Sequence, residues 1–136
     1  MSLAKPNSSL EILNQTKGKL PRLPFATMKD KILDARYELS VSFVTRATSR
    51  SLNRQHRGKD HPTNILSFEL SSKSGELVIC PDIVKAGASE FDMDYKNFLG
   101  FLLIHGMLHL KGMAHGSTME RQETRFKKMF KIIEQL

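Results

Sequence analysis

Three histidines within eleven residues, in the segment Ile104-His-Gly-Met-Leu-His-Leu-Lys-Gly-Met-Ala-His115, have the type and spacing of metal ligands. Residues four apart on a helix share a face, with Cβ atoms about 5 to 6 Å apart, so His105 and His109 can aim their imidazoles at one point. Gly112 can end that helix. A glycine just past the periodic stretch takes the left-handed conformation cheaply, turning the chain back and bringing His115 to the same point. Three neutral imidazoles leave a fourth position for water, the pattern of catalytic rather than structural zinc.

Positioning two of these histidines requires a helix, and Tyr95 to Lys111 reads as one. Phe98, Leu99, Phe101, Leu102, Leu103, Ile104, Met107, Leu108 and Leu110 leave no polar stripe, so this central helix is expected to be buried nearly all round. A buried imidazole without a partner carries a desolvation penalty, which argues for histidines with a task. Before this helix, Ser9–Leu13 and the alternating Leu39–Thr45 read as strands, flanking a first helix from Pro24 to Ala35. A helix striped by Arg46, Arg50 and Arg54 follows, then a polar loop over Gln55–Thr63. Asn64–Leu70 and Glu76–Cys80 read as a hairpin whose second strand, apolar on both faces, should be covered above and below. Pro81 opens another helix, and Ser117-Thr-Met-Glu120 reads as the capping box of a last one, with Phe126, Met129, Phe130 and Ile133 as its apolar stripe. That reading gives about four strands and about five helices.

The chain of 136 residues is expected to be a single domain, 1–136, with a real core. Its longest apolar run, Phe98 to Ile104 broken only by Gly100, is far short of the ~20 residues that span a bilayer, so a soluble protein is expected. The N-terminus lacks a signal-peptide pattern, and the single cysteine, Cys80, fits a reducing compartment. Cys80 reads as strand core rather than a fourth ligand, and His56 and His61 as exposed loop residues. Lysine and arginine number 21 against 14 acids, a net charge of +7 that favours a polyanionic partner, with general solubility as the alternative. The arginine stripe, with Arg57 and Lys59 just beyond it, places that charge where a nucleic acid can use it.

The four-residue histidine step is shared with the zincin metalloproteases, and Gly112 with His115 is similar to the glycine and third histidine of the longer metzincin signature. Those peptidases use the glutamate after the first histidine as general base. Gly106 stands there and cannot move a proton, which disfavours peptidase chemistry. The block His105-Gly-Met-Leu-His-Leu-Lys-Gly-Met-Ala-His115 instead resembles the signature of the YbeY family of bacterial endoribonucleases, His-Gly-x-Leu-His-Leu-x-Gly-aromatic-Asp-His. Leu52-Asn-Arg-Gln-His-Arg57-Gly-Lys-Asp-His-Pro-Thr63-Asn-Ile-Leu-Ser-Phe68 resembles a second block of that family, and Gly75-Glu-Leu-Val-Ile-Cys80 a third.

The resemblance implies a zincin-like α+β fold, a small mixed sheet of about four strands packed with about five helices, with one bound zinc ion held by His105, His109 and His115 on the central helix and the loop after it, and Arg57 in the RNA cleft. It also implies a cytoplasmic role in 16S ribosomal RNA 3′-end maturation and ribosome quality control, with ribosomal RNA and the small subunit or its assembly proteins as partners, and no membrane. A monomer is expected. Arg57 suits that role, since a guanidinium offers a fork to a phosphodiester and offsets charge developing on phosphorus. Zinc would lower the pKa of its water toward ~7, although the RNA's own 2′-hydroxyl is an alternative nucleophile. Two departures remove carboxylates: Ala114 and Asn64 stand where the family has aspartates. That opens a rival reading, a non-catalytic ribosome-assembly factor stabilised by its metal, with a zinc peptidase as a third.

Overall fold

In the computed structural model, which describes residues 9–133, four strands form one mixed sheet in the order β1-β2-β4-β3. β1 (Leu10–Asn14) and β2 (Glu38–Phe43) run parallel, β2 and β4 (Ser74–Ile79) run parallel, and β3 (Ile65–Ser71) is antiparallel to β4. The expected hairpin is therefore present. The register lines up Asn14, Phe43, Ile79 and Ile65 in one row across the sheet, so β1, β2 and β4 end where β3 begins.

Five helices complete the α+β fold: α1 (Phe25–Ile32), α2 (Arg46–Arg57), α3 (Pro81–Glu90), α4 (Tyr95–Leu110) and α5 (Ser117–Met129). Leu77 and Ile79 of β4 join the main core with α4, whereas Val78 packs on the other face with Val44 and Leu66, against Leu52 of α2. The second hairpin strand is thus covered on both sides, as its doubly apolar sequence requires. α4 carries ten buried residues and approaches the sheet at Gly106, where an added Cβ would lie 2.9 Å from both Ile65 and Leu77 side chains. That glycine permits the close approach, and a methyl there would displace the terminal carbons of Ile65 and Leu77.

Four expectations are corrected at element ends. α1 stops at Ile32 rather than Ala35 because the buried Lys29 ammonium gathers the carbonyls of Asp34, Ala35 and Tyr37 at 2.9 to 3.2 Å, along with the Ser9 hydroxyl. β2 ends at Phe43 rather than Thr45, because the Thr45 hydroxyl accepts from Thr48 N–H and caps α2. α2 itself runs on through Gln55 and His56 to Arg57 and ends at Gly58, whose φ of +68° is left-handed, so the polar loop begins only there. The capping box at Ser117 does not form. α5 is preceded by Gly116 with no side-chain cap, and Ser117 is already its first residue.

The apolar stripe of α5 is also shifted. Phe126 is buried, but Met129 and Ile133 are 43% and 64% exposed, while Met119 and Ile132 join the core. The helix stops at Met129, Lys131 takes φ of +57°, and Ile132 folds back onto Gly100 of α4.

Candidate metal centre

The last turns of α4 and the loop after it bring the three histidines together. His105 and His109 sit one turn apart, Gly112 takes φ of +98°, and the chain returns so that the His115 ring centroid lies 5.0 Å from that of His105 and 4.7 Å from that of His109. One nitrogen of each ring lies within 4.8 Å of the others.

The hydrogen bonds behind the rings decide what the front can do. His105 Nδ1 lies 2.6 Å from a Glu123 carboxylate oxygen, and His109 Nδ1 lies 3.1 Å from the Met113 carbonyl. Both partners accept, so Nδ1–H donation to them turns the Nε2 edge of each ring toward the shared point. Those two Nε2 atoms face one another at 3.0 Å. That spacing suits a proton shared between the two nitrogens or a metal ion ligated by both. Tetrahedral zinc with Zn–N bonds of about 2.0 to 2.1 Å sets its ligand nitrogens roughly 3.3 Å apart, close to the spacing present. Desolvation, then the neighbouring His105, holds the His109 pKa below its usual value, which favours the neutral imidazole a metal requires. The residues fit the ion.

The histidines form one wall of a cavity of about 300 Å³ whose other lining residues are Arg57, Thr63, Asn64, Ile65, Ser67 and Leu102. Arg57 reaches it as the final residue of α2, so the structure joins the two sequence blocks in one site. No carboxylate lines the cavity among the described residues; Glu123 stands behind His105.

Residues 7–136 match the family model described as Endoribonuclease YbeY. The chain belongs to the YbeY endoribonuclease family. A YbeY relative from Bdellovibrio bacteriovorus is 33% identical over 89% of this chain and 87% of its own. One from Thermotoga maritima is also 33% identical, over 93% of this chain and 81% of its own. A Thermotoga maritima protein solved in solution has the same fold at a TM-score of 0.61 and 27% identity, covering 86% of this chain and 85% of that one.

Against the YbeY signature, the structure shows what the departures leave in place. Ala114 is exposed beside His115 and offers no acceptor, while Asn64 lines the cavity and leaves both Nδ1 atoms to Glu123 and Met113. Glu123 was not found from the sequence. Its one signal is position: a carboxylate between Met119 and Phe126 on the buried face of α5, where an acid is costly unless paired. Cys80 is buried, outside the histidine cluster, and burial pushes its thiol pKa up, so it is plain core. His56 is exposed and packs edge-on against Phe68 at 4.9 Å, and His61 is exposed in the loop.

The arginine stripe forms but is engaged. Arg50 makes a two-pronged pair with Asp60 at 2.8 and 3.0 Å, Arg54 lies 3.9 Å from the same carboxylate, and Arg46 lies 3.6 Å from Asp82. The Arg50 hydrogen bond holds the Asp60 carboxyl below its usual pKa. Asp60 sits in the loop that carries Thr63 and Asn64 to the cavity, so Arg50 serves that loop. No helix among the described residues is long and apolar enough to cross a membrane.

Proposed function

We propose that this chain is a zinc-dependent endoribonuclease that cuts single-stranded RNA, matures the 3′ end of 16S ribosomal RNA and serves ribosome quality control in the cytoplasm. The observation that supports it most is one cavity holding three convergent imidazoles, the Arg57 guanidinium and no lining carboxylate. Such a wall attracts a phosphodiester and repels nothing in it.

In this reading His105, His109 and His115 hold the ion, with Glu123 and the Met113 carbonyl fixing two of the rings. When bound, a divalent metal supplies Lewis acidity toward water or a phosphoryl oxygen. Arg57 grips the non-bridging oxygens of the scissile phosphate and offsets the charge that grows on them. Thr63, Asn64 and Ser67 offer neutral hydrogen bonds to phosphate or ribose. None of these lining groups is a carboxylate base, so the chain contributes binding and charge rather than proton transfer from an acid side chain.

The test is cleavage of single-stranded RNA by purified protein beside His109→Ala and Arg57→Ala. Loss in both is expected, and activity that persists in both would refute the assignment. A 2′,3′-cyclic phosphate product would identify the 2′-hydroxyl as nucleophile. The second reading, a non-catalytic assembly factor stabilised by its metal, draws on Ala114, which leaves His115 without an adjacent carboxylate. Gly106 leaves the position after His105 without the proton-transferring side chain that a peptidase base requires.

A further inference from the structure

A second cavity, of about 380 Å³, opens beyond the carboxyl ends of β1 and β2, where the loop after β1 meets the start of α3. Its rim carries Lys17, Lys19 and Lys85, and apolar Leu20, Val44 and Pro81 line it below. Asp82 is also there, but it lies 3.6 Å from Arg46. The lysines contrast with the arginine stripe. Among the described residues, none of the three has a carboxylate within ion-pair distance, whereas Arg46, Arg50 and Arg54 all do. Lys85 is instead held with its ammonium 5.1 Å from the Tyr95 ring centre.

The two cavities share one end of the sheet. Asn14, Phe43, Ile79 and Ile65 form a row, with the lysine cavity beyond its β1–β2 side and the histidine cavity beside Ile65. Strands lie about 4.8 Å apart, so β1 and β3, three steps apart, are separated by roughly 14 Å. The Asn64 carbonyl, which accepts from Cys80 N–H at 3.0 Å, ties the histidine-side loop to the residue before Pro81.

We propose that the lysine cavity is a second RNA subsite, which holds a single-stranded segment several nucleotides away from the phosphate at Arg57. Uncompensated lysines on the rim meet backbone phosphates, and the apolar floor takes the flat face of an unpaired base. Phosphate charge holds single strands without reading sequence, and here aliphatic side chains stand where aromatic platforms usually stack the bases. The inference rests on the endoribonuclease reading and names where its substrate continues.

The test is equilibrium binding of 2′-O-methyl oligonucleotides, which resist cleavage at the 2′-hydroxyl, to the metal-loaded protein across a salt series. Lys17→Ala/Lys19→Ala/Lys85→Ala is compared with wild type and with Lys73→Ala, which sits in the hairpin turn at the opposite end of the sheet. For a long oligonucleotide the triple variant is expected to bind about 10-fold or more weakly at low salt, with its log–log salt slope lowered by about 2, near 0.7 per lost phosphate contact. An oligonucleotide too short to leave the histidine cavity should bind both proteins alike, and Lys73→Ala should match wild type. Equal affinity and slope for the long oligonucleotide, or an equal loss on the short one, would overturn the proposal; so would an effect of Lys73→Ala as large as that of the triple variant. Cleavage of unmodified RNA by wild type, measured alongside, separates failure of this subsite from failure of the endoribonuclease reading.

Discussion

The carboxyl end of α4 and the face of α2 both looked functional in sequence, one through histidines and the other through arginines, and the fold treats them in opposite ways. On α4 the outer nitrogens of His105 and His109 are tied up by Glu123 and the Met113 carbonyl, which sets the inner nitrogens 3.0 Å apart. Partners there orient the two rings as a pair of metal ligands. On α2 the partners reduce the demand for an anion, because Asp60 pairs with Arg50 and stands near Arg54, while Asp82 stands near Arg46. Arg57, one turn further on, escapes that pairing and lines the cavity. A charged side chain is thus a candidate for ligand binding according to what already faces it, not according to its spacing alone.

The comparison can be broken most severely within α2. Arg57→Ala should lower RNA cleavage by on the order of 10² to 10³, the usual cost of removing one donor to a charged transition state. Arg50→Ala, which loosens the Asp60 loop without removing a cavity residue, should cost far less in the same steady-state assay. Equal losses would mean that the stripe, rather than the cavity, meets the RNA. Next in size, Glu123→Ala should weaken metal affinity by about 10 to 100-fold in a competition titration, because the His105 ring loses the acceptor that fixes its tautomer. Unchanged affinity would remove Glu123 from the centre.

At Gly106, Gly106→Ala should lower stability by about 1 to 3 kcal/mol in denaturant unfolding, since a methyl would meet Ile65 and Leu77 at 2.9 Å. A neutral result would show that the Ile65 and Leu77 side chains swing aside without cost. The smallest effect concerns the Arg50–Asp60 pair. The folded state depresses the Asp60 pKa, so its contribution is present above the ordinary carboxylate pKa and fades as the pH falls through the folded value. Both groups are exposed, so acid unfolding of Arg50→Ala should nearly coincide with that of wild type.

How much of this was legible follows from the range of each interaction. The histidine cluster needs only one helical turn and a glycine reversal, both local, and the doubly covered β4 shows in its uninterrupted Leu77-Val78-Ile79. Element ends were harder. α1 is cut short by Lys29, whose ammonium collects carbonyls from beyond the helix, and the α5 stripe shifts because Ile132, not Ile133, folds onto Gly100. Glu123 lies 18 residues from His105 on another helix, and Asp60 pairs back across a loop to Arg50; no periodicity in either segment announces such a partner. The position of Arg57 beside the histidines came from block resemblance rather than from spacing.

The central claim is that His105, His109 and His115 hold one divalent metal despite Ala114. The direct measurement is the metal content per chain of protein purified without added metal, by elemental mass spectrometry, for wild type and His115→Ala side by side. One ion, zinc, is expected per wild-type chain, with a substoichiometric amount in His115→Ala. Equal metal in the two proteins, or none in either after zinc is supplied and excess removed, would contradict it.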